Sequence, residues 1–137
     1  MTQEQKDLLI KDLCARLPYG VKCKDVTIDF IGTMTDISRH DNMCKLYNDY
    51  GDNYTCFMAN CKPYLLPLSR MNEEQKKEYN RWKHEVPVCY YEYGDVVEEI
   101  ELFDSPESFE YLIENHFDYR GLIEKGLAID CTNLNIY

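Results

Sequence analysis

No apolar run in this sequence approaches the ~20 residues that span a bilayer, so a transmembrane helix is excluded. Glycine (6) and proline (5) are scarce, which leaves little material for long flexible linkers. With so few and such scattered glycines, a phosphate-cradling loop is hard to build, and neither GxGxxG nor GxxxxGK[ST] occurs. GxSxG and HExxH are missing as well. There is one Trp. From Glu85 to Asp118 there is no Lys or Arg at all.

What is present is an ordinary globular composition in 137 residues, 45% hydrophobic and 29% charged. That is enough chain to bury a core without disulfides or metals. The N-terminal segment MTQEQKDLLIKDL carries Glu4, Lys6 and Asp7, where a signal peptide needs an apolar stretch. The expectation is a cytoplasmic protein of one domain, residues 1–137. Seven cysteines, an odd number in a reducing compartment, are then read as buried free thiols.

The acidity is uneven. Glu85, Glu92, Asp95, Glu98, Glu99, Glu101, Asp104, Glu107, Glu110, Glu114 and Asp118 hold eleven of the 25 acidic residues, and the rest of the chain is close to neutral. A field of this kind repels nucleic acid and attracts basic surfaces, or simply keeps a face solvated. Tyrosine is also abundant, at 12. Tyr90, Tyr91 and Tyr93 lie inside the acidic stretch, and tyrosine suits half-buried binding surfaces.

Residues 2–16 read as a helix, capped by Thr2 with Gln5 in the capping-box position, its apolar stripe carried by Leu9, Leu13 and Leu17. Pro18 and Gly20 stop it. Val21–Thr33 reads as one extended segment, 34–42 as a polar connection, and Met43–Tyr47 with Tyr54–Met58 as a hairpin. Lys62–Arg70 has two prolines, which predicts an extended but non-central strand. Asn72 caps a second helix reaching about His84. Val86–Tyr93 and Val96–Phe103 pair around Gly94–Asp95, with Val96, Glu98, Ile100 and Leu102 on one face. Ser105 caps a third helix, with Pro106 at its first position. Its core face is Phe109, Leu112 and Ile113. Leu122–Lys125 reads as a short fourth helix, and the C-terminal residues as an edge strand. The sum is an α+β fold with a mostly antiparallel sheet of about five strands.

Three chemistries are weighed on these residues. His40, Cys44, Cys56, Cys61, His84 and Cys89 carry metal-ligand side chains, and Cys44, Cys56, Cys61 and Cys89 are the set for a structural zinc site, although CxxC spacing is missing. The Asn48–Asn53 loop has oxygen ligands without EF-hand spacing. His116, Asp118, Tyr119 and Arg120 cluster in a turn, where His and Asp could serve as a base and its orienter. No nucleophile accompanies them, and no enzymatic role or cofactor is expected.

KDLCARLPYGV (Lys11–Val21), CKPYLLPLSRMNEEQKKEY (Cys61–Tyr79) and HFDYRGLIEKGLAI (His116–Ile129) together resemble segments of a group of small uncharacterised proteins from gut anaerobic bacteria and their phages or mobile elements. Leu66 stands where that group often has Arg. The resemblance implies an accessory protein of mobile origin and carries no catalytic residues with it. The expectation for function is a non-enzymatic interaction protein. It would bind a basic protein partner through the acidic, tyrosine-rich region 85–118, at Glu92, Asp95, Glu98, Glu99, Glu101, Tyr90, Tyr91 and Tyr93. It would not bind nucleic acid or membrane directly. The alternatives are the zinc protein and a phage-type inhibitor that mimics DNA.

Overall fold

The computed structural model describes all 137 residues. It is an α+β protein with three α-helices, and it divides into two compact units, Met1–Arg70 with Ile113–Tyr137, and Met71–Leu112. No helix is long and apolar enough to cross a membrane.

The larger unit opens with α1 (Gln3–Arg16). Thr2 Oγ accepts the Gln5 N–H at 3.1 Å and Gln5 Oε1 accepts the Thr2 N–H at 3.0 Å, a reciprocal cap that satisfies otherwise orphaned donors. Leu9, Asp12, Leu13 and Arg16 are its buried residues. A 3-10 turn over Leu17–Tyr19 and Gly20, at φ 69°, end the helix.

Five antiparallel strands follow: β1 (Lys22–Asp25), β2 (Phe30–Ser38), β3 (Met43–Tyr47), β4 (Asn53–Phe57) and β5 (Cys61–Pro67). Their spatial order is β4-β3-β2-β1-β5. The expected continuous segment Val21–Thr33 is broken. Asp25 Oδ1 accepts both the N–H (2.9 Å) and the Oγ1–H (2.6 Å) of Thr27, and this Asx turn reverses the chain, with Asp29 at φ 57°. The β-branched Val26 and Ile28 are therefore exposed turn residues. The expected polar connection 34–42 is strand as far as Ser38.

Flat, five strands in this order would set β4 and β5 about 19 Å apart, at ~4.8 Å per spacing. Only the 3-10 turn Met58–Asn60 joins them, and the step from Phe57 to Cys61 reaches at most about 14 Å. The sheet must therefore curl. β2 takes much of the bend: its register against β3 shifts between Met34 and Asp36, a bulge. A Cβ at Gly32 would lie 2.7 Å from the Tyr47 carbonyl oxygen.

β5 is a central strand, contrary to the proline argument. It pairs with β1 through Cys61–Pro63, while Tyr64–Leu65 and Leu66–Pro67 take two short parallel strands, β9 (Ile129–Asp130) and β8 (Phe117–Asp118). No neighbour runs its whole length, so Pro63 and Pro67 sit at ladder ends where a missing N–H costs little. The C-terminal segment thus adds the expected strand, in parallel. The core of this unit joins Leu9 and Leu13 to Val21, Met34, Leu46, Leu65, Leu122 and Leu127. The expected fourth helix is absent. Residues 122–126 form turns, too short to propagate a helix, and both Asp118 carboxylate oxygens hold them by accepting the Leu122 and Ile123 N–H groups at 2.9 Å.

The smaller unit carries α2 (Glu73–Arg81), the hairpin β6 (His84–Glu92) and β7 (Asp95–Phe103), and most of α3 (Pro106–Glu114). Asn72 and Gln75 form a second reciprocal cap. α2 stops at Arg81, before the expected His84, which already opens β6. Ser105 Oγ accepts the Ser108 N–H at 3.0 Å and donates to the Trp82 carbonyl, which ties the start of α3 to the end of α2. In α3, Ser108 and Leu112 are buried, while Phe109 is 39% exposed. The hairpin is a two-stranded sheet of its own, and β8 and β9 bring the other sheet to seven strands, so the expected single sheet of about five is two sheets of seven and two.

Replacing Gly32 by Ala forces a methyl into the Tyr47 backbone and costs about 1–3 kcal/mol. Urea denaturation reads this as a lower midpoint; an unchanged midpoint contradicts the close approach.

Candidate functional site

The hairpin turns on Tyr93 and Gly94, with φ 52° and 86°, one residue earlier than the sequence suggested. Positive φ at both positions is the geometry whose twist matches the strands. Glycine accepts it freely, but an aromatic residue there is uncommon. Tyr93 is 98% exposed.

Register fixes which side chains share a face. One face carries Glu85/Leu102, Pro87/Ile100, Cys89/Glu98 and Tyr91/Val96; the other carries His84/Phe103, Val86/Glu101, Val88/Glu99, Tyr90/Val97 and Glu92/Asp95. Val96, Glu98, Ile100 and Leu102 do share a face, as expected. The first face is open, with Ile100 68% exposed, Val96 60% and Tyr91 80%; on the second, Val86 and Tyr90 are 38% exposed and Val88 and Val97 are half-buried. The acidic set is thus split, with Glu98 on the apolar face and Glu92, Asp95, Glu99 and Glu101 on the other. None of the protein's ion pairs uses these five carboxylates or Glu85. Tyr90 Oη donates to Glu99 at 2.8 Å, and this bond raises the Tyr90 pKa.

The edges differ. Pro87 has no N–H, so Pro87/Ile100 is a non-hydrogen-bonded pair. Alternation then turns the N–H and C=O groups of Val96, Glu98, Ile100 and Leu102 outward along β7. That edge is unbroken, whereas the β6 edge is interrupted by Pro87.

The rest of the 85–118 stretch does other work. Asp104 accepts from Tyr79 and from Ser108 at 3.2 Å. Burial first, then Asp104, raises the Tyr79 pKa. Glu107 sits in the first turn of α3, where the helix dipole favours acid. Asp118 is buried in the larger unit.

His116 and Asp118 do not form a hydrogen-bonded pair. Asp118 spends both oxygens on backbone N–H groups, so it does not orient His116. The His116 ring stacks on Tyr137 at 3.6 Å and 7°. Burial, then Arg16 and Lys22, lowers its pKa to about 4, leaving a neutral ring at pH 7. Arg120 Nε lies 3.3 Å from Asp12 Oδ1, an ion-pair distance without hydrogen-bond alignment. Arg16, fully buried, donates to Asp12 at 2.7 Å and to the Phe117 carbonyl at 2.6 Å. Arg120 also lies over the Tyr119 ring at 4.6 Å. The sequence held a signal for this knot: Asp12 and Arg16 fall at i,i+4 within the apolar stripe of α1.

The thiols are gathered differently from the expected set. Cys44 and Cys56 face each other across β3 and β4, with sulfurs 3.2 Å apart. The curl adds Cys61 at the start of β5, and all three sulfurs lie within 4.8 Å of one another, all buried. Cys89 is exposed on the hairpin, 3.8 Å from Glu98, and takes no part. His40 and His84 are also outside the cluster. Cys23, on β1 beside β5, is fully buried, and its sulfur lies outside the group of three. The Cys44 thiol first and then Cys61 lower the pKa of Cys56. Cys44 and Cys61 are pushed up by neighbouring thiols, Cys56 first for Cys44 and Cys23 first for Cys61, with burial adding to both.

Comparison with protein-family models, curated proteins and solved structures finds no match.

The unfolded chain protonates a histidine near 6.5, the folded chain protonates His116 only near 4. Between these values the unfolded state binds more protons, so stability falls as pH is lowered from about 6.5 to about 4. His116→Asn removes this titration and keeps a residue that tolerates the φ of 64°. Urea denaturation at a series of pH values should show a shallower acid loss in the variant; equal slopes contradict it.

Proposed function

We propose that this is a non-enzymatic interaction protein whose hairpin, residues 84–103, docks a basic protein partner along the β7 edge. The observation that carries the reading is a two-stranded sheet exposed on both faces, rich in apolar and tyrosine side chains, whose six carboxylates have no cationic neighbour within ion-pair distance. A lone hairpin in water is marginal, and an open edge invites a further strand. Along that edge Glu98 stands among Val96, Ile100 and Leu102, with Glu99 and Glu101 on the opposite face, and this pattern selects the newcomer. A strand with lysine or arginine among apolar residues gains at both, whereas a second copy of this hairpin would set carboxylate against carboxylate. Tyr93, held in an unfavourable conformation at the tip, supports the same reading, since such strain collects at functional sites. The resemblance to accessory proteins of phages and mobile elements fits a binding role.

The test is affinity capture from native cells with wild type, a Glu98→Lys/Glu99→Lys/Glu101→Lys variant and Tyr93→Asn, each checked by circular dichroism. Wild type should retain a basic protein that raised salt releases. The triple variant should bind it on the order of tenfold more weakly or worse. Tyr93→Asn should fold more stably, since Asn-Gly suits this turn, yet capture less. The same proteins retained equally by wild type and the triple variant would overturn the proposal.

A further inference from the structure

The four core thiols share a feature that packing alone does not require. They come from four strands, β1, β3, β4 and β5, and in a flat sheet Cys56 and Cys61 would be far apart. We propose that Cys44, Cys56 and Cys61, with Cys23 as the fourth ligand, form a structural thiolate site for a zinc ion.

The donor set is all sulfur, which selects zinc, copper(I) or iron–sulfur chemistry over hard cations. Zinc–thiolate bonds of ~2.3 Å at tetrahedral angles put sulfurs about 3.8 Å apart. The 3.2 Å separation of Cys44 and Cys56 and the 4.8 Å limit over all three sulfurs bracket that spacing. Three converging sulfurs would cap one side of the ion. Cys23 lies diagonally across from Cys61 on the same face of the β1–β5 pair, where Cys23 opposes Pro63 and Asp25 opposes Cys61; its sulfur is outside the three-sulfur group and would close on the ion from the open side. Burial of all four residues gives no opening for water or substrate, which marks a closed structural site and not a catalytic one. Each ligand binds as a thiolate; any thiol still protonated gives its proton to solvent as the sulfur–zinc bond forms, and no redox partner is needed. Bound there, zinc would tie β3 and β4 to β1 and β5 across the curl. The competing chemistry is a Cys44–Cys56 disulfide, which these directly opposed residues could form but which leaves Cys61 and Cys23 unexplained.

The wild-type chain, purified under reducing conditions without chelator, decides the matter by native mass spectrometry and elemental analysis. One zinc per chain, and a melting temperature that falls on metal removal and returns with added zinc, supports the site. No bound metal with no response to added zinc overturns it, as does a mass two units low from a disulfide. Cobalt(II) added to the metal-free protein should give thiolate-to-metal charge-transfer absorption; its absence counts against thiolate ligation. Cys56→Ser and Cys61→Ser should lose the zinc, while Cys14→Ser and Cys89→Ser, at the two exposed thiols, keep it. Full zinc affinity in Cys23→Ser would overturn its place as the fourth ligand.

Discussion

A chain of three residues has to bridge the ends of a five-stranded ladder, and most of the larger unit follows from that. The Met58–Asn60 turn is too short to cross a flat sheet, so the sheet must curl, helped by the bulge in β2 near Thr35, while Gly32 lets β2 approach the Tyr47 backbone closely. Bending makes the sheet concave around Met34, Leu46 and Leu65, and these share one core with Leu9 and Leu13 of α1. It also brings a cysteine from the β3–β4 hairpin against one that begins β5. The thiol cluster is thus a product of the curl and a candidate for holding it.

The smaller unit solves a different problem. Its own fastenings are polar and local: the Asn72 cap, the Ser105 link to Trp82, and Tyr79 on Asp104. Among these, β6 and β7 bury little. Apolar side chains left in water on both faces of a ribbon carry a continuing free-energy cost, and carboxylates along the strands suppress self-association. Those two facts together are what a basic, strand-donating partner would relieve.

Local chemistry was legible from the sequence; closure was not. The caps at Thr2–Gln5 and Asn72–Gln75, Pro106 behind Ser105, and both hairpins depend on neighbours a few residues away. The Val26–Asp29 break was misread because β-branched residues outvoted the Asp25–Thr27 turn, although that pattern stood in the sequence. The prolines of β5 misled because the rule against central prolines assumes full-length neighbours, and β5 has only short ones. The Cys44–Cys56 pairing follows from the hairpin register, but Cys23 and Cys61 join it only through long-range pairing. Cys89 was grouped with the others by residue type alone. The acidic stretch was visible as composition, yet its division between hairpin, helix start and the buried Asp118 depended on register.

A docking role requires the hairpin to be surface and not core. Amide hydrogen exchange on the free protein measures this most directly. The outward amides of Val96, Glu98, Ile100 and Leu102 should exchange far faster than those of Leu46 and Leu65, and slow when the partner is added. Amides of β7 as protected in the free monomer as those of β3 and β5 would contradict it.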